Sequence, residues 1–230
     1  ARCFRNEGMD PKHLQDFTMI EGYCAYYNYK DNMKFLREML QHIIEKLFGT
    51  LVIKVGDKEV DLSGEWEAVS FRDLILKYGN IDINEYNTKE LLLQKIYDEK
   101  LEIDCDTPLE NLGYGNLVDQ LYKKVARPNV VNPIFLTEHP ISLSPLARAN
   151  DDNPEITDRF QLIINGAEII NAYSELVDPQ EQEKRLEEQA ALKDNGDEEA
   201  MPMDHDYISA MEVGMPPISG WGMGIDRVIQ

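Results

Sequence analysis

No stretch of the 230 residues is apolar for long enough to cross a membrane as a helix. No basic segment followed by an apolar one opens the chain, so no export signal is visible. Cysteine is scarce. Cys3, Cys24 and Cys105 are too few and too scattered for a disulfide framework or a zinc knuckle, which suits a reducing, cytoplasmic setting. His42, His139 and His205 show no metal-ligand spacing. Positive charge is short: 23 Lys and Arg face 43 Asp and Glu, a net charge of −20. That excludes a chain whose whole surface binds nucleic acid, although not a local basic pocket. No internal repeat, Walker lysine or dinucleotide glycine spacing is present. Of the residues present, 43% are hydrophobic, and a chain of this length buries a sizeable core as one domain or two small ones.

Period-two alternation is the clearest local signal. From Phe17 to Tyr27, one face carries Phe17, Met19, Glu21, Tyr23 and Ala25, which predicts a long strand with Gly8–Asp16 as the loop of a hairpin. Met33, Leu36, Leu40, Ile43, Ile44 and Leu47 recur at helical spacing between a cap at Asp31 and a stop at Gly49. Short strands are expected on both sides of Gly56-Asp57, and Ser70-x-x-Asp73 opens a helix ending at Gly79. Residues 80–126 read as helical, polar and acidic, and a helical insertion is expected over about 67–126. Asn132–Glu138 reads as a strand, and Arg159–Ile164 and Glu168–Tyr173 as two strands joined by the hairpin dipeptide Asn165-Gly166. Asp178-Pro179-x-Glu181 starts a charged helix, Asp204–Val213 forms another, and a glycine-rich strand from Ser219 runs into a final helix. Hairpins dominate and no βαβ series is visible, so the expected class is α+β, an antiparallel sheet flanked by helices. Both ends fall inside predicted elements, so the chain is expected to be a fragment.

Several residues carry chemistry. Arg5 and Glu7 share a strand face; alone they read as a structural ion pair, and otherwise as a guanidinium offered to a carboxylate or phosphate. Glu21 with Tyr23, and Glu175 with Tyr173 and Asn171, place acid and phenol on two separate strands. That pattern suits an aromatic-lined pocket for a small cation. Glu168 and Gln161 flank the Asn165-Gly166 turn, where oxygen ligands could hold Mg²⁺, although a surface glutamate is the commoner case. Gly220-x-Gly222-x-Gly224 is by itself weak evidence for a nucleotide and serves equally well for close backbone packing. Arg227, in the first turn of the last helix, is electrostatically out of place there without an anionic or aromatic ligand.

Taken together, these segments resemble the class II lysyl-tRNA synthetases. Phe4-Arg-Asn-Glu-Gly8 with Phe17-Thr-Met-Ile-Glu21 is similar to motif 2 of that class, and Gly220-Trp-Gly-Met-Gly-Ile-Asp-Arg227 to motif 3. His139-Pro-Ile-Ser-Leu-Ser-Pro-Leu-Ala-Arg148, Asn153–Phe160 and Glu168–Leu176 resemble the lysine-specific parts. The resemblance implies a partial catalytic domain over 1–230, running from motif 2 to motif 3. It implies a ligase that activates lysine with ATP and Mg²⁺ to lysyl-adenylate and passes it to the 3′ end of tRNA(Lys), in a complete protein that is a homodimer. Arg5 then bridges the lysine carboxylate and the α-phosphate as the catalytic residue, a matter of positioning and charge neutralisation. Glu7 and His13 help hold the nucleotide, and Phe17 and Arg227 sandwich the adenine. Glu21 accepts the α-ammonium, Asn171 helps orient the carboxylate, Tyr23 and Glu175 read the ε-ammonium, and Tyr173 and Gly222 complete the lysine-binding set. Glu168 and Gln161 hold Mg²⁺.

The chain departs from the family in three ways. Leu14 replaces a polar residue of the motif 2 loop, Gln161 stands where many relatives carry an acid, and motif 1 and the anticodon domain are missing. The fragment alone is therefore expected to be inactive or nearly so. Two alternatives remain: a relative that attaches a lysine-type group to elongation factor P, in which Ala stands at the position of Gly222, and a non-catalytic binding module.

Overall fold

The computed structural model describes residues 1–5, 15–105 and 107–229. Its centre is a seven-stranded sheet. Strand β1 (Arg2–Phe4) pairs antiparallel with β2 (Asp16–Ala25). The loop expected between them lies almost wholly outside the described residues, and with it Glu7, His13 and Leu14. On the other side of β2 follow β9 (Ile218–Gly224), β8 (Ala167–Ser174), β7 (Arg159–Ile164), β6 (Ile134–Thr137) and β5 (Glu67–Ser70). Five of the pairings are antiparallel, and β5 and β6 run parallel. The sheet is therefore mixed rather than purely antiparallel, within the expected α+β class. Parallel neighbours need a long crossover. Here it consists of α2 (Phe71–Gly79), α3 (Lys89–Asp98) and α4 (Tyr114–Val125) with irregular chain between them. Residues 67–70, at the head of the span expected to be helical, are thus an edge strand.

Local chemistry explains the element ends. Helix α1 (Tyr29–Phe48) begins one turn earlier than expected. Asn28 is its cap, and Asp31 returns a bond to the Asn28 N–H to complete a capping box. The helix stops at Gly49, whose φ of 70° favours glycine. Ser70 caps α2, and Asp178 and Asp204 cap α5 (Pro179–Asp194) and α6 (His205–Glu212). Asn165 and Gly166 have φ of 48° and 71°, the left-handed pair that a tight two-residue hairpin turn requires. A small hairpin, β3 (Val52–Val55) and β4 (Lys58–Asp61), stands apart from the main sheet, and α7 (Ile225–Ile229) follows β9 directly.

Each face of the sheet has its own core. Leu36 and Leu40 of α1 pack on Phe135, Phe160, Leu162, Ile170, Ala172 and Met223, all buried. On the opposite face the crossover helices cover Leu136 and Ile163, with Ile134 and Val69 partly buried beside them, at the β5–β7 side. The rest of that face carries mainly polar residues and glycines.

Candidate active site

The strand register assembles the candidate residues. Read across β7, β8, β9 and β2, one row is Gln161, Asn171, Gly222 and Glu21, and the next on the same face is Arg159, Tyr173, Gly220 and Tyr23. The rows between and beside them, Phe160–Ala172–Trp221–Gly22 and Leu162–Ile170–Met223–Ile20, belong to the α1 side. The period-two pattern of β9 thus gives one strand a bare glycine face towards the site and a Trp221–Met223 face towards the core. The bare face makes a trough between the side chains of β2 and β8. A Cβ at Gly220 would lie 2.5 Å from Tyr23 Cε1 and 2.7 Å from Glu175 Oε1. A Cβ at Gly222 would meet Met19 Cε at 3.1 Å and Glu21 at 3.9 Å.

At one end of the trough sits an acidic, phenolic cluster. Glu175 is 7% exposed, and burial alone pushes its carboxyl up to about 7, with no cation neutralising it among the described residues. Burial, then Glu175 and Glu21, raise the Tyr23 phenol. Burial, then Glu175 and Tyr23, raise those of Tyr173 and Tyr207. Tyr207, brought in by α6, is a member that no sequence pattern pointed to. The two acids differ: Glu175 is buried, whereas Glu21 is exposed. Such a hole lacks a positive charge with donors to spare, which a primary ammonium supplies.

Gln161 and Glu168 meet at the middle of the face. An irregularity in the β7–β8 ladder sets Glu168 opposite Ile163 and Ile170 opposite Leu162. The extra residue turns Glu168 to the polar side, where its Oε2 accepts from Gln161 Nε2 at 2.9 Å. An ionised carboxylate only accepts, so Gln161 must face it with nitrogen. The Gln161 oxygen then lies 3.2 Å from Nε2 of His139, which is fully buried and kept neutral by burial and by Arg159. The paired-ligand expectation for Mg²⁺ fits only in half. Among the described residues Glu168 keeps one carboxylate oxygen without a partner, while the Gln161 oxygen is engaged with His139. No group of three or more His, Cys, Asp or Glu suited to a metal occurs among the described residues.

The far end carries Arg5, Phe17 and Arg227, the expected nucleotide residues that are described. Gly224 pairs with Met19 and lies against Arg227. Arg227 Nη1 donates to the Glu168 carbonyl at 3.0 Å, which accounts for a cation in a five-residue helix. Asp226 accepts the Thr18 N–H at 2.8 Å and ties that helix to β2 beside Phe17. The Arg5 guanidinium stands 5.3 Å over the Phe17 ring, on which it stacks. Arg159 was not among the expected residues. It is the β7 member of the second row and lines a cavity of about 230 Å³ with Ser144, Asn171, Tyr173, Glu199 and Met201.

The geometry can be set beside known proteins. The chain is 42% identical over 229 residues to a lysine–tRNA ligase of Porphyromonas gingivalis, covering 100% of this chain and 39% of that protein. It is 44% identical over 229 residues to a lysine–tRNA ligase of Thermosipho africanus, covering 100% of this chain and 44% of the relative. A lysine–tRNA ligase of Helicobacter hepaticus is 40% identical over 228 residues, 99% of this chain and 43% of the relative. The chain thus spans less than half the length of these curated relatives. The family described as tRNA synthetases class II (D, K and N) matches residues 1–230 without a gap at either end. This chain therefore belongs to the class II tRNA synthetases of the D, K and N group.

Proposed function

We propose that the protein carrying this chain is a lysine–tRNA ligase, which activates lysine with ATP and transfers it to the 3′ end of tRNA(Lys). The observation that carries the choice of amino acid is the buried Glu175, which no cation among the described residues neutralises, beside Tyr23 across the gap at Gly220. A carboxylate in that position rejects neutral and acidic side chains, because either leaves its charge unpaired. The names of the relatives point the same way.

In this reading the trough holds lysine lengthwise. Its ε-ammonium lies among Glu175, Tyr23 and Tyr173, its α-ammonium at Glu21, and its carboxylate beside Asn171. Arg5 steers that carboxylate onto the α-phosphate of ATP, while Phe17 and Arg227 hold the adenine and Glu7 and His13 the remaining nucleotide contacts. The carboxylate oxygen attacks phosphorus, and pyrophosphate leaves with the P–O electron pair. The residues supply alignment and charge neutralisation rather than covalent chemistry. Glu168 fits Mg²⁺ through a single oxygen, the usual manner for an ion held mainly by phosphates, and the ion offsets the phosphate charge when bound. Residues 1–230 are then part of a catalytic domain in which 71–126 form a helical insertion. The reading carries with it a cytoplasmic homodimer. The three free cysteines suit that setting, and no helix among the described residues is long and apolar enough to cross a membrane.

Amino-acid-dependent ATP–pyrophosphate exchange by the protein of the complete reading frame tests the reading. Exchange driven by lysine, and only weakly by arginine or ornithine, is expected. A folded protein that exchanges with no amino acid would overturn it and favour a binding module.

A further inference from the structure

Arg159 heads the row that ends at Tyr23, yet the adenylation chemistry above gives it no task. Its guanidinium makes three bonds, all to neutral acceptors: Nε to Asn171 Oδ1, Nη1 to the Leu143 carbonyl and Nη1 to Ser144 Oγ, each at 3.0 Å. No carboxylate is hydrogen-bonded to it among the described residues. A cation in such a place is costly, and burial pulls it below the usual arginine range.

The Arg159–Asn171 bond has a direction that chemistry fixes. A guanidinium donates and never accepts, so Asn171 has to offer it the amide oxygen. The two Asn171 N–H bonds must then point away from Arg159, and neither is taken by another group among the described residues. Asn171 stands in the row with Gly222 and Glu21, so its NH₂ serves the trough. Without Arg159 the amide could turn over and present oxygen to an incoming anion. The same guanidinium grips Leu143 and Ser144, so the loop over the cavity and the Asn171 amide share one anchor.

We infer that Arg159 is a positioning residue for amino-acid recognition: it locks the Asn171 side chain with its NH₂ outward, ready to donate to the substrate α-carboxylate. The inference rests on the lysine reading and adds to it a residue that selects the carboxylate end of the substrate without touching it.

The test uses the protein of the complete reading frame and two ligands, lysine and cadaverine, which is lysine without its carboxylate. Binding is measured by calorimetry for the wild type, Asn171→Ala, Arg159→Met and the double variant, with melting temperatures alongside. Each single substitution is expected to weaken lysine about tenfold while leaving cadaverine and the KM for ATP within about twofold, the size of one oriented hydrogen bond to a charge. The double variant is expected to be no worse than Asn171→Ala, because both remove one interaction. Arg159→Lys keeps a single donor and is expected to fall between wild type and Arg159→Met, which keeps the test open if Arg159→Met does not fold. Equal loss of lysine and cadaverine would mean a role in shape alone, and additive losses in the double variant would mean direct contact with the substrate. Either result, or unchanged lysine binding, overturns the inference. A wild-type protein that binds no lysine overturns the lysine reading, and this inference with it.

Discussion

The two faces of the central sheet are built from the same strands and do opposite work. On the α1 side, Phe160, Leu162, Ile170, Ala172 and Met223 are all 5% exposed or less. One residue along each strand, the other face carries Arg159, Gln161, Asn171, Gly222 and Gly220. The first face gains its energy by excluding water and filling volume. The second forgoes that energy: it keeps two glycines where side chains would fit a core, and it gives Glu175 no counter-ion among the described residues. Alternation thus lets one set of strands serve as a foundation and a reactive surface at once, and it predicts that substitutions one residue apart fail in different ways.

The largest effect belongs to the dry face. Phe160→Ala removes a ring that is fully buried and packs edge-on to Phe135 at 5.2 Å. It is expected to cost about 3–5 kcal/mol in denaturant unfolding of the chain. A matched glycine pair then separates the faces. Gly220→Ala pushes a methyl against Tyr23 and Glu175, and Gly22→Ala pushes one against the Trp221 ring at 2.6 Å. Tyr23 is 63% exposed and can swing outward, so Gly220→Ala is expected to keep its melting temperature and lose lysine-dependent exchange by about 100-fold. Trp221 packs on the core and on Phe35, so Gly22→Ala is expected to lower stability by about 1–3 kcal/mol. Equal melting temperatures for the two variants would break the comparison.

A third prediction uses pH. In the free protein Glu175 is protonated below about 7, and an ε-ammonium binds only its ionised form. Lysine affinity is therefore expected to rise with pH and level off above 7, with about a tenfold loss per unit below it. Glu175→Gln should bind weakly at every pH and show no such slope. The sign for stability is the reverse. The folded-state pKa lies above the unfolded value, so the folded chain holds an extra proton between them. This group's contribution to stability is therefore fully present below the ordinary glutamate value of 4.5, declines from there to about 7, and is gone above it. The smallest effect concerns Gln161. Gln161→Glu would face one carboxylate with another across a 2.9 Å contact. It is expected to lower the melting temperature by a few degrees, at about one kcal/mol of repulsion, and to recover on adding Mg²⁺, which the wild type does to a lesser degree.

Much of the fold and site is legible in the sequence because period and capping act locally. The alternation from Phe17 to Ala25 is enough to set Glu21 and Tyr23 on one face, and Asn165-Gly166 announces the β7–β8 hairpin. The same alternation along β7 would have named Arg159 two residues before Gln161. The remainder depends on pairing between distant segments. β5 is four residues long without alternation, and its parallel pairing is decided 67 residues away at β6. Glu168 would face the core by simple counting, and the ladder irregularity that turns it over leaves no mark in its own sequence. Gly220 and Gly222 look alike on the page, and only the neighbours across the strands show that Gly220 is the tighter of the two. Tyr207 reaches Glu175 through the docking of α6, which no local pattern records.

The pairing of β2 with β9 also governs how the molecule is made. Glu21 and Gly222 are partners, and the Thr18–Asp226 bond closes a loop of 208 residues. During synthesis β2 must wait for β9, its hydrogen-bonding edge open for as long as the ribosome takes to supply everything between them. At about 5–20 residues per second that is on the order of ten seconds or more. An uncovered strand edge invites pairing with other chains over that interval. The trough that defines the site is thus a seam closed across nearly the whole of this chain, and a nascent chain lacking β9 holds neither the floor of its pocket nor a covered β2 edge.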